Sequence, residues 1–240
     1  MPRFDLFEQP VADAPDPAAR SGAAAAHVVC THPLANGGWS SDFGGLSGAP
    51  DPDQALQRFL DQGLFNLPSE GYVLAGADTG RLLYTYSADG MARVAVIVAA
   101  GLANTGWAVE TFASCDPAEY DSPADDQIGI SVWSDADGDR VPTSVIVSLE
   151  GAEHCGWESV TYLRMDEMVY VSDPVGLLEA EFTVEYNPDI ELPETADDTG
   201  YRLDQERLWL SPDGAIAYLV SEDRVEQWPS AVEPSMVWCD

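Results

Sequence analysis

Residues 82–99 read as a strand, a tight turn at Asp89-Gly90 and a second strand rich in β-branched aliphatics. The pattern returns at residues 130–148 and at residues 207–221. Each copy has an aromatic near the end of its first run, then a Ser, an Asp-Gly pair and a β-branched run. Asp-Gly between two such runs is the strongest short-range hairpin signal, because both turn residues must take positive φ. Three copies commit the chain to antiparallel pairing between neighbours. The expected fold is mainly β (α+β), with hairpin repeats forming two sheets or pseudo-symmetric lobes.

A longer echo points the same way. Gly71-Tyr72-x-Leu74 opens the segment before the first hairpin, and Gly200-Tyr201-x-Leu203 opens the one before the third. The first segment ends in Cys115-Asp116 and the last in Cys239-Asp240. This reads as a degenerate duplication of residues 71–116 by residues 200–240.

One helix is expected, at about residues 52–62. Asp51 is a good N-cap, Pro52 fits the first helical position and Gln54 completes a capping-box pattern. Leu56, Phe59 and Leu60 give it one apolar face. Strands are expected at residues 72–75, 107–113, 157–164 and 168–171, and a long acidic loop at residues 188–200. Residues 93–100 are almost wholly aliphatic, which implies burial on both faces. Residues 1–50, rich in Ala, Pro, Gly and Asp, read as a flexible lead-in. Residues 51–240 then form one β-rich domain, or two duplicated lobes over 51–124 and 125–240.

The net charge of −32 excludes some partners. All ten basic residues are Arg. So acidic a chain repels phosphate backbones and anionic lipid surfaces, so nucleic acid is not an expected partner. No apolar run is long enough to be a membrane-spanning segment.

Four widely spaced cysteines without a Cys-x-x-Cys pair fit two disulfides better than a zinc site. The expected bridges are Cys155–Cys239 and Cys30–Cys115, because Cys115 and Cys239 occupy equivalent repeat positions. The rival pairing, Cys115–Cys155 with Cys30–Cys239, stays open. Disulfides place the protein outside the cytosol or in the cell envelope. No targeting segment is visible in residues 1–17.

Several motifs carry residue types suited to chemistry. Asp135, Asp137 and Asp139 alternate around Gly138, and Asp125 and Asp126 lie upstream. Alternating carboxylates on a loop can converge on calcium, the one cofactor the pattern suggests. The spacing is not that of an EF-hand, and a plain hairpin turn uses the same residues. His27, Cys30 and His32, with His154 and Cys155, are a candidate zinc set. Residues 45–49, Gly-Leu-Ser-Gly-Ala, lack the second Gly of a nucleophile elbow. His154 adjoins Cys155, which makes it a structural neighbour sooner than a catalytic base. Trp107, Trp133, Trp157, Trp209, Trp228 and Trp238 lie in or beside repeat strands. They are either core or an exposed aromatic strip for a protein, peptide or glycan.

The segments Cys115–Tyr120, Glu153–Leu163, Tyr170–Pro174, Asp198–Tyr201, Leu208–Ser211 and Val225–Pro229 together resemble a family of uncharacterised actinobacterial exported or lipoprotein-like proteins. The resemblance implies export and a disulfide-bearing β-rich fold, and no activity. Cys30 follows His27-Val28-Val29 without an apolar leader, unlike a lipidated cysteine. The functional expectation is an exported, disulfide-stabilised binding or envelope-interaction protein without catalysis. The alternative is a secreted hydrolase or calcium-dependent protein using the acidic loops around residues 116–139.

Overall fold

The computed structural model describes residues 14–39, 48–63, 65–102, 106–120, 130–151, 155–178 and 184–231. The chain divides into two compact units, Met1–Ile128 and Gly129–Asp240. The described residues are mostly β, with strands in three antiparallel sheets and two short helices. No described helix is long and apolar enough to cross a membrane.

In the first unit β1 (Asn36–Trp39), β2 (Val73–Asp78), β3 (Arg81–Ala88), β4 (Met91–Ala100) and β5 (Trp107–Ser114) form one sheet in the order β1-β5-β4-β3-β2. The β3–β4 hairpin turns at Asp89-Gly90, with φ of 52° and 75°. Two successive positive φ values are what a primed two-residue turn needs, and Asp-Gly supplies them at little cost. Residues 94–98 of β4 are at most 1% exposed. They are covered twice. Ala95, Ile97 and Leu83 pack with Ala113 against Ala23 and Ala24. On the helix side Phe112 of β5 meets Phe59 and Phe65 at centroid distances of 5.3 and 4.6 Å.

Phe59 belongs to α2 (Pro52–Leu60), the expected helix, which ends two residues earlier than its periodicity suggests. Asp51 Oδ1 accepts the Gln54 amide at 2.9 Å, and the Gln54 side chain returns a bond to the same carboxylate.

The expected lead-in needs correction. Residues 17–39 hold α1 (Pro17–Ser21), a 3-10 turn over Gly22–His27 and edge strand β1. Ala23 and Ala24 are buried because the run lies flat on the sheet. Residues 28–32 then form a strap. Val29 N–H donates to Ala92 O at 2.8 Å. Glu119 accepts the amides of Thr31 and His32 at 2.7 and 2.9 Å and pairs with Arg93, both side chains being almost fully buried. The strap is closed by the Cys30–Cys115 disulfide, with Cα atoms 5.2 Å apart.

The second unit contains two four-stranded meanders. One runs β6 (Ile130–Ser131), β7 (Ile146–Glu150), β8 (Thr161–Met165), β9 (Met168–Ser172). The other runs β10 (Asp197–Leu203), β11 (Glu206–Leu210), β12 (Ile216–Val220), β13 (Val225–Pro229). The third expected hairpin is β11–β12, with Trp209 opposite Tyr218. The second pairs its outer arms as β6–β7 but is interrupted between them. Its turn is present, with Ser134 bridged to Arg140, but the return strand breaks at Pro142, whose carbonyl accepts the amides of Val145 and Ile146. The strand expected from residue 157 begins at Thr161, because Val160 N–H turns back onto Trp157 O. The loop expected up to residue 200 ends where β10 begins, at Asp197.

The two meanders meet at both edges. Ser134 exchanges paired backbone hydrogen bonds with Arg202 of β10, each 2.8 Å long. Past the end of β13, Ser230 bridges Tyr170 of β9, and Ala231 N–H donates to Val169 O at 2.9 Å. Isolated bridges thus join the two four-stranded sheets in the order β6-β7-β8-β9-β13-β12-β11-β10, a flattened, barrel-like pair of sheets around one core. Closure satisfies edges that would otherwise be open templates. Inside it Trp133, Ile146, Leu163, Met165 and Tyr170 from one meander pack against Leu208, Leu219 and Trp228 from the other.

Candidate functional site

Side chains alternate along a strand, so partners in register share a face. Inward on β11 are Glu206, Leu208 and Leu210, and on β13 Glu226 and Trp228, with Leu219 of β12 between Leu208 and Glu226. On the other meander Ser131, Ser148 and Leu163 are in register, as are Glu150, Thr161 and Ser172. Following these rows, one part of the barrel interior is apolar. Toward one end it becomes Ser131, Ser148, Glu150, Thr161, Glu206 and Glu226. There an open cavity of about 220 Å³ remains, bordered also by Leu203, Leu219 and Trp228. An eight-stranded barrel is just wide enough to be filled by side chains or to hold one small ligand. This one does the first over most of its length and leaves room for the second at its mouth.

The two central carboxylates are held differently. Glu226 is buried, 8% exposed. Its Oε2 accepts the Trp228 indole N–H at 2.9 Å and the Tyr186 hydroxyl at 3.1 Å. Its Oε1 pairs with Arg224, which reaches in from solvent. Ser172 of β9 lies beside the Tyr186 hydroxyl. Burial and the Glu226 charge push that hydroxyl's pKa upward. Glu206 is half-buried, and among the described residues its carboxylate accepts no hydrogen bond. Burial first, and repulsion from Glu226 second, raise its pKa above the usual carboxylate value. Ser148, 5% exposed, accepts the Trp133 indole N–H at 3.0 Å, and among the described residues its own proton has no acceptor.

The residues singled out from sequence fall elsewhere. Asp135 Oδ1 accepts the amides of Asp137 and Asp139 at 2.9 and 3.0 Å, and Asp135 N–H donates to Asp139 O. Asp135 therefore shapes the turn. Asp137 and Asp139 are exposed. The described residues contain no group of three His, Cys, Asp or Glu placed to share a metal ion. Cys30 cannot join His27 and His32 on zinc, because its sulfur is in the disulfide with Cys115. Cys155 is also disulfide-bonded, and Cys239, the partner expected for it, lies outside the described residues. So do Asp125, Asp126, His154, Trp238 and Ser47. The described tryptophans are all buried or half-buried, with Trp133 at 0% and Trp228 at 5% exposure. They form no exposed aromatic strip.

The sequence reading passed over Glu206, Glu226, Tyr186 and Ser148. A usable signal was there. In Glu206-Arg-Leu-Trp-Leu and Val225-Glu-Gln-Trp-Pro a carboxylate stands in phase with residues that must face the core. A charge on the buried phase of a strand needs either a partner or a ligand.

Comparisons with protein-family models, with curated proteins and with solved structures return no match.

Proposed function

We propose that this chain is an exported, disulfide-stabilised binding protein, without catalysis, and that the mouth of the second unit's barrel holds its ligand. The observation that carries the reading is the change of the barrel interior from apolar to carboxylate and hydroxyl around a cavity of about 220 Å³. Polar groups on the inward phase of closed strands cost stability unless something occupies them. Export is supported by the Cys30–Cys115 bridge and the bonded state of Cys155, since structural disulfides persist in oxidising compartments. A hydrolase or calcium-dependent protein working through residues 116–139 ranks below this reading, because Asp135 is engaged by its own turn.

The test is a fragment screen on ¹⁵N-labelled protein, read at the indole N–H of Trp228. Compounds that shift this signal and those of Ser148 and Glu206 together support a ligand site at the mouth. A broad screen that moves none of them refutes it.

A further inference from the structure

We propose that the barrel mouth takes a small primary-amine cation that also carries hydroxyl groups, its ammonium held by Glu206 beside Glu226. The inference deepens the binding reading and rests on it.

Charge comes first. Three carboxylates, Glu150, Glu206 and Glu226, border the cavity, and no Arg does. Arg224 answers Glu226 from outside. Glu206 is half-buried and accepts no hydrogen bond among the described residues, and the cation that acts on it, Arg224, is already paired with Glu226. A neutral or anionic ligand would leave it so, or worsen it. An ammonium would supply both the missing donors and the opposite charge. The net charge of −32 raises the local concentration of any cation.

The type of cation follows from the other walls. Calcium takes six to eight oxygens at one point. The carboxylates at the mouth are not grouped to share an ion. They are spread around a space equal to roughly seven water molecules at about 30 Å³ each. A small organic cation spans such a space. Trp228 adds an aromatic wall whose indole is anchored on Glu226 at 2.9 Å, and an ammonium beside an indole gains from the ring's charge distribution. Ser131, Ser148 and Thr161 bring hydroxyls to the opposite wall. Ser148 is 5% exposed and, among the described residues, keeps an unspent proton after accepting from Trp133. That proton needs an acceptor, which a bare alkylamine lacks and an amino alcohol or amino sugar has.

The test titrates full-length oxidised protein at neutral pH with ethanolamine, putrescine and glucosamine, with glucose and N-acetylglucosamine as neutral counterparts, and with calcium chloride. Binding is read at the Trp228 indole signal and by calorimetry. Glucosamine or ethanolamine is expected to bind at least ten-fold more tightly than the neutral sugars and more tightly than putrescine. Glu206→Gln should remove that preference, and Glu150→Gln, at an exposed position, should weaken it less. Each variant's melting temperature reports whether it folds. Equal or tighter binding of a neutral sugar overturns the cation assignment and leaves the binding site standing. So does a Trp228 shift produced by calcium alone, or silence from all three amines when another fragment binds. Silence from these probes and from the whole fragment screen removes both readings together.

Discussion

Replacing Cys30 and Cys115 together by Ala should destabilise the first unit by several kcal/mol without changing its native contacts. The bridge joins residues 85 apart in sequence. The chain-entropy relation with that loop length gives about 15 cal/mol/K, or about 4.6 kcal/mol at room temperature. Alanine is preferred to serine because Cys115 is fully buried and a hydroxyl there would lack a partner. The folded strap should survive the exchange. Val29 remains bonded to Ala92, and Glu119 still holds the amides of Thr31 and His32. The loss therefore belongs to the unfolded chain. Urea unfolding of oxidised wild type and variant measures it. At an m-value of about 2 kcal/mol/M the midpoint should fall by roughly 2 M. The fall should be confined to the transition of Met1–Ile128. A loss below about 1 kcal/mol would refute the entropy argument. It would mean that residues 28–32 stay near β4 and β5 even when the unit is unfolded.

The strap's ion pair gives a second case. Arg93→Met leaves Glu119 buried with its charge unanswered, so a loss of about 3–5 kcal/mol is expected. The double variant Arg93→Met, Glu119→Gln should lose less than the sum of the single changes, which a double-mutant cycle in urea decides. Gly90→Ala meets no atom within 4 Å but must hold φ near 75°, so it should cost about 1 kcal/mol by thermal unfolding. Glu206 has a defined pH signature. Its folded pKa lies above the unfolded 4.5, so between the two values the native state binds the extra proton and stability falls as pH rises. Glu206→Gln should accordingly stabilise the apo protein at neutral pH. The gain should shrink as pH drops through the raised folded value and vanish below the unfolded one. A constant gain across that window would assign it to packing instead.

The elements that sequence announced are those whose cause is local. Asp89-Gly90 turns because those two residues tolerate positive φ, and α2 starts at Pro52 because Asp51 caps it. The aliphatic run of β4 revealed its double burial for a similar reason: composition alone leaves it no face for water. What stayed hidden depends on distant partners. Asn36-Gly-Gly-Trp39 has little strand propensity and is a strand because the edge of β5 offers hydrogen bonds. The alanines of residues 23–25 look like a linker until Ala95, Ile97 and Ala113 present a flat surface of matching small residues. Pro142 interrupts the return arm of the second hairpin, whose outer residues still pair as β6 and β7, a local effect that the hairpin pattern concealed.

The mouth of the barrel joins both kinds of cause. That Glu206 and Glu226 point inward is local, a matter of phase with Leu208 and Trp228. That they end up beside Ser131, Ser148 and Thr161 is not, since it requires the closures at Ser134–Arg202 and Tyr170–Ser230, neither of which any short window of sequence encodes. A barrel with Leu at both glutamate positions would bury more apolar area and lose the repulsion between two carboxylates. Tyr186, Trp228 and Arg224 are all spent on keeping one of these charges in place. Three partners for Glu226 and, among the described residues, no hydrogen-bond donor for Glu206 is a poor arrangement for stability alone. It is a serviceable one for a protein whose remaining partner arrives from solution.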